Sequence, residues 1–221
     1  MATATGRFVK ADQPLIIAVE GVIGVGKTTL VKALAERLGA VRLSEDDIAN
    51  PFLERFYKHG ARWALACQTC FLEGRLRQFA NKVPVGVPVV SDHSLHKEPI
   101  FAEVNLDGDE LALYRRLFEI LEPSCAFKPS VVVYLSASIN EVRQRIRSRN
   151  RAYEGAIDVT YLDRLVQGYQ AWFDRIGETR QRVVVVDADG VNVAQDPEAV
   201  DRLLEACLQA PHGVSFCNLV I

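Results

Sequence analysis

The stretch Glu20-Gly21-Val22-Ile23-Gly24-Val25-Gly26-Lys27-Thr28-Thr29 leaves this chain little freedom. Ahead of it, Leu15-Ile16-Ile17-Ala18-Val19 is rich in β-branched residues and of strand length; behind it, Leu30, Leu34 and Leu38 recur at helical spacing. Strand, glycine loop and helix in that order form the context in which G-x-x-x-x-G-K-[ST] is a phosphate-binding loop. Gly21, Gly24 and Gly26 can take backbone angles closed to residues with a Cβ, so successive N–H groups converge on one point. That point falls at a helix N-terminus, where unpaired N–H groups and the helix dipole favour an anion. Lys27 adds a mobile positive charge for β- and γ-phosphates, and the Thr28 hydroxyl, ahead of Thr29, is placed to ligate Mg²⁺. The expected ligands are ATP and Mg²⁺.

The rest of the chain alternates. Val41-Arg42-Leu43 reads as a short second strand running into Ser44-Glu45-Asp46-Asp47, and Asn50-Pro51 opens a long helical region interrupted at His59-Gly60. A third strand, Val89-Val90, delivers Ser91-Asp92-His93-Ser94. Asp107-Gly108-Asp109 caps a helix with Leu113, Leu117 and Leu121 on one side. Val131 to Leu135 and Val183 to Val186 are strands four and five, separated by helices from Asn140 to Arg149 and from Val159 to Ile176, and Pro197 to Leu208 is a last helix. Five strands alternating with helices predict an α/β fold, a parallel sheet covered on both faces. Ligands in such sheets sit beyond the carboxyl ends of the strands, which collects residues 21–28, Glu45, Asp92 and Asp187 at one rim.

With 221 residues the chain suits one domain with a continuous core, expected over residues 15–210 between a flexible lead-in at 1–14 and a tail at 211–221. A net charge of -2 gives no electrostatic reason to expect nucleic acid or a membrane surface. No apolar run approaches the roughly 18 residues that span a bilayer. Residues 1–14 carry no apolar segment of a secretory signal, and five cysteines, an odd number, point to free thiols in the cytoplasm. Cys67-x-x-Cys70 lies inside a helical pattern without a second ligand pair and reads as buried thiols.

Several separated motifs carry a resemblance. An acidic residue precedes Asn50-Pro51-Phe52-Leu53; Phe56-Tyr57 follows; Gln68 stands five residues after Trp63 of Arg62-Trp63; then come Asp92-x-Ser94, Ile100-Phe101-Ala102 and Arg145-x-x-x-Arg149-x-Arg151-x-x-Glu154. Together they resemble the deoxyribonucleoside kinase family, which includes deoxyadenosine, deoxyguanosine and deoxycytidine kinases. The resemblance implies a P-loop kinase fold with an arginine-rich lid, and transfer of the γ-phosphate of ATP to the 5′-hydroxyl of a deoxyribonucleoside, purine favoured over pyrimidine. It implies Glu45 as general base, Asp92 beside Thr28 at the metal and in catalysis, and Arg145, Arg149 and Arg151 as the lid that closes on the transferring phosphate. Gln68 and Arg75, two turns apart on one helix face, would read the base edge, with Phe101 stacked on the ring. Tyr57 and Glu154 would hold the sugar 3′-hydroxyl, and Asp187 opens the loop that cups the donor adenine. A homodimer is implied as well.

One motif departs from the pattern. The family carries acid-Arg-Ser, with the arginine helping to hold the catalytic acid and the phosphate; here the middle residue is His93, which has neither a permanent charge nor a bidentate fork. The Asp92–Ile100 segment is also one residue short, which leaves open whether Lys97 or Glu98 faces the base beside Arg75. Two alternatives stay open on the residues: a kinase for nucleoside monophosphates or modified nucleosides, and a nucleotide-binding partner subunit without turnover.

Overall fold

The computed structural model describes residues 15–149, 151, 157–176, 179–190 and 193–217; the lead-in at 1–14 and the expected site residue Glu154 lie outside them. The strands are β1 (Ile16–Glu20), β2 (Val41–Leu43), β3 (Val89–Ser91), β4 (Val131–Ser136), β5 (Arg182–Asp187) and β6 (Gly213–Cys217). They form one parallel sheet in the order β2-β3-β1-β4-β5-β6. β1 is buried at every position and β4 at all but its last, because both lie inside the sheet with helices on each face; their unbroken apolar sequences reflect that double cover.

The sheet has six strands, not the expected five. The sixth falls in the 211–221 stretch read above as a tail, and pairs along β5 from Arg182↔Gly213 to Val186↔Cys217. Its Phe216 is 82% exposed, so β6 is held by backbone pairing more than by a buried face. A strand of that kind has little apolar pattern for a sequence to display.

The helices are α1 (Lys27–Leu38), α2 (Leu53–His59), α3 (Ala61–Lys82), α4 (Lys97–Asn105), α5 (Gly108–Leu121), α6 (Ile139–Arg149), α7 (Val159–Ile176) and α8 (Pro197–Gln209). Gly60, at φ 55°, divides α2 from α3. The leucine row of α5 faces outward: Leu113, Leu117, Ile120 and Leu121 are exposed, and Tyr114 alone on that helix is buried. Among the described residues no helix is long and apolar enough to cross a membrane.

Candidate active site

The loop between β1 and α1 has the conformation its glycines permit. Gly21, Gly24 and Gly26 all have positive φ, at 142°, 83° and 112°. Space as well as angle demands glycine here, since a Cβ on Gly21 would lie 2.6 Å from the Leu135 carbonyl oxygen and one on Gly24 2.5 Å from Ile146 Cγ1. Lys27 Nζ donates to the carbonyls of Gly21 and Val22, each at 2.9 Å. Desolvation, and then the charge of Lys97, push Lys27 down to about 8.

Asp92, at the end of β3, organises the neighbouring loops. Its Oδ2 accepts from Thr28 Oγ1 at 3.1 Å and from Ser44 Oγ at 3.0 Å, and its Oδ1 accepts from the Glu45 backbone N–H at 2.7 Å. Burial opposes its charge, but the bond from His93 and the Glu45 amide hold it below its ordinary value. The Thr28 hydroxyl and this carboxylate are hard oxygen donors of the kind Mg²⁺ accepts alongside phosphate oxygens.

Glu45 stands two residues beyond the end of β2, opening a short 3-10 turn. Its Oε1 accepts from Arg75 Nε at 3.1 Å, from Arg75 Nη2, and from Lys97 Nζ at 2.9 Å; its Oε2 accepts from Lys97 Nζ at 3.2 Å. Desolvation works against the carboxylate, yet Lys97 and Arg75 hold it well below the ordinary carboxylate range. The loop is braced from α3 as well, where Gln78 Nε2 donates to the Ser44 carbonyl at 2.9 Å. Helix and loop pack closely enough that a Cβ on Gly74 would come within 2.3 Å of Ile48 Cγ2.

Two cavities open on this rim. The first, about 610 Å³, runs from the glycine loop past Thr29, Glu141, Arg145, Arg149 and Arg151 to Ala188, Gly190, Val193 and Ala194. The second, about 390 Å³, is lined by Glu45, Tyr57, Gln68, Phe71, Arg75, Asp92, Lys97, Phe101 and Tyr161, among others. Gly24, Lys27, Thr28, Asp46, Arg149 and Arg151 line both, so the cavities meet at the phosphate loop. Arg145 is tied down, donating to the carbonyls of Val25 and Ala188 at 2.7 and 2.6 Å, and Arg151 donates to Asp46 at 2.8 Å.

Two expected residues stand elsewhere. The His93 ring is fully buried, with Nδ1–H on Asp92 Oδ1 at 3.1 Å and its face on Phe79 at 5.2 Å, and it lines neither cavity. The Asp187 carboxylate accepts from the Asp189 N–H at 2.9 Å, within its own turn, while the residues after it line the first cavity.

Two buried acids brace the site: Glu98, left open beside Lys97 by the sequence, and Glu20, which the sequence reading did not single out. Glu98 is fully buried behind the second cavity and accepts from Gln68 Nε2 at 3.0 Å, from Arg75 Nη1 and from the Tyr114 hydroxyl. Gln68 therefore directs its amide nitrogen at Glu98 and keeps its oxygen as the remaining acceptor. Glu20, also fully buried, accepts from the Ser94 N–H at 2.8 Å, Ser94 Oγ at 2.7 Å and Tyr169 Oη at 2.9 Å, joining β1, the turn after β3 and α7. The one sign of that network in the sequence is an acid ending an otherwise apolar strand.

A parallel α/β sheet with a glycine cradle between its central strand and the next helix is the architecture of the P-loop nucleotide-binding proteins. Comparison with known proteins carries this further: the Deoxynucleoside kinase family profile matches residues 17–210, and the chain belongs to that family. It is 32% identical over 178 residues to the deoxyguanosine kinase of Bacillus subtilis (strain 168), covering 79% of this chain and 86% of that protein. It is 28% identical over 204 residues to the deoxyadenosine/deoxycytidine kinase of the same strain, covering 89% and 93%. A solved deoxyadenosine kinase from M. mycoides with bound dCTP superposes with a TM-score of 0.73 at 25% identity, covering 87% of this chain and all of that one. The same kinase with products dCMP and a flexible dCDP shares the fold at a TM-score of 0.74 and 24% identity, covering 87% and 99%. The chain is thus an ATP-dependent deoxynucleoside kinase.

Proposed function

We propose that this kinase transfers the γ-phosphoryl group of ATP to the 5′-hydroxyl of a deoxyribonucleoside, purine favoured over pyrimidine, with Glu45 as general base. The observation that carries the reading is the wall shared by the two cavities: a phosphate held by the glycine loop in one is presented to whatever occupies the other. The 5′-oxygen forms a bond to the γ-phosphorus, the bridging bond to the β-phosphate breaks, and the hydroxyl proton passes to Glu45. ADP and the nucleoside 5′-monophosphate leave. Because this chemistry needs little beyond alignment and charge neutralisation, the protein contributes position and positive potential.

Lys27 and the loop amides hold the triphosphate, and Thr28 and Asp92 are the residues that would hold Mg²⁺, which supplies charge neutralisation across the phosphates. Arg145, Arg149 and Arg151 gather positive charge on the transferring group, where it counts most in the transition state. Tyr57, with Glu154, takes the sugar 3′-hydroxyl, and Phe101 stacks on the base. Gln68 and Arg75, fixed by Glu98, present an ordered edge to the base, and the purine preference is proposed because both relatives described above are named for a purine deoxynucleoside, one as a deoxyguanosine kinase and the other, for a pyrimidine too, as a deoxyadenosine/deoxycytidine kinase. A cytoplasmic homodimer belongs to this reading. All five cysteines are free, and the exposed α5 row offers apolar surface to a second copy.

The test is ADP release with a panel of deoxynucleosides, and their monophosphates in parallel. Purine deoxynucleosides should give the highest rates, and Glu45→Gln should lower kcat by about 10²–10⁴-fold while ATP still raises its melting temperature. A preference for monophosphates, or wild-type turnover in Glu45→Gln, would overturn the reading.

A further inference from the structure

We propose that Lys97 is the positioning residue of the catalytic carboxylate, holding Glu45 so that Oε2 faces the incoming hydroxyl; the inference rests on Glu45 being the general base. Lys97 is 2% exposed and reaches the second cavity from the first turn of α4. Its ammonium bridges both oxygens of Glu45, at 2.9 and 3.2 Å, and sits 4.9 Å from the centroid of the Phe101 ring. A cation shared between two carboxylate oxygens fixes the plane of the group, and the aromatic face confines the cation in turn.

The two oxygens of Glu45 are not equivalent. Oε1 receives three donors, two from Arg75 and one from Lys97, whereas Oε2 receives Lys97 alone. A carboxylate oxygen has roughly two lone-pair sites, so Oε1 is saturated and Oε2 retains the site that can take a proton. Arg75 by itself would anchor Oε1 and let the carboxylate swing about it. Lys97 removes that freedom. His93 cannot serve in its place: its ring is packed on Phe79 and lines neither cavity.

Lys97→Met, Lys97→Arg, Glu45→Gln and the double variant separate the possibilities, with ATP-induced thermal stabilisation measured on each. Lys97→Met should lose about 10²-fold in kcat, the scale of a roughly 1 Å misplacement of a reacting group, with little change in KM for ATP. Lys97→Arg should recover much of that loss. In the Glu45→Gln background Lys97→Met should cost nothing more, since a residue acting through Glu45 has nothing left to position. If Lys97→Met destabilises the fold, Lys97→Gln carries the same comparison. Wild-type kcat without the lysine, or losses that multiply in the double variant, would overturn the proposal while leaving Glu45 as base. Full turnover in Glu45→Gln would remove the base, and the role of Lys97 with it.

Discussion

The Thr28 hydroxyl donates to Asp92 Oδ2 at 3.1 Å, tying the first turn of α1 to the end of β3. The same carboxylate holds Ser44 and the Glu45 amide, so the phosphate end and the acid loop share one anchor. Asp92→Asn halves its acceptor capacity and removes its charge. Its kcat should fall by 10²-fold or more, roughly what losing one preorganised electrostatic group costs, and more Mg²⁺ should be needed for half-maximal rate. A magnesium titration of initial rates checks both; an unchanged requirement would take Asp92 out of the metal site.

His93→Arg restores the family's motif on paper, but the ring space under Phe79 is closed. A longer charged side chain there overpacks the core, which costs about 1–3 kcal/mol and lowers the melting temperature by about 2–4 °C per kcal/mol in a chain of this size. Turnover should not rise. Calorimetry with steady-state rates decides it, and a faster, equally stable variant would show that the histidine is a defect.

Gly74→Ala sets two effects against each other. Alanine in place of a helical glycine gains about 1 kcal/mol, whereas a Cβ 2.3 Å from the branch methyl of Ile48 costs about 1–3 kcal/mol because that group is not a flexible tip. The clash should win. Ile48 lines the second cavity, where the nucleoside is proposed to sit, so KM for the nucleoside should rise several-fold with KM for ATP nearly constant. Saturation curves for each substrate provide the check.

The pH profile should be asymmetric. Protonated Lys27 is the form that holds phosphate, and its value of about 8 means the free enzyme loses that form as pH rises through about 8. kcat/KM for ATP should therefore fall about tenfold per unit above that point. kcat should hold to higher pH, because bound polyphosphate favours the charged amine. On the acid side Glu45, held well below 4.5, stays ionised throughout the neutral range and contributes no loss there. Initial rates across the alkaline range are the measurement, and a flat kcat/KM would contradict it.

Local features were legible. The glycine loop, the positions of the five core strands and the spacing of Gln68 and Arg75 all follow from short-range sequence, since backbone angles and helical periodicity are set within a few residues. What escaped depends on distant partners. The choice between Lys97 and Glu98 stood open, because the partner of Lys97 is Glu45, 52 positions away and reached only once α4 is laid against α3. His93 looked like a substituted ligand when its ring belongs to the core. The leucines that the sequence sets on one side of α5 face outward, which their spacing alone does not decide. β6 escaped because its hydrogen bonds to β5, not its side chains, make it a strand.

Arg75 grips Glu45 with one part of its guanidinium and Glu98 with another, so under the proposed function a single side chain spans the end of the pocket that discriminates and the end that reacts. That reading couples selectivity to speed. Efforts to retune it toward an unnatural nucleoside should find position 68 permissive and position 75 punishing, whatever replaces the arginine.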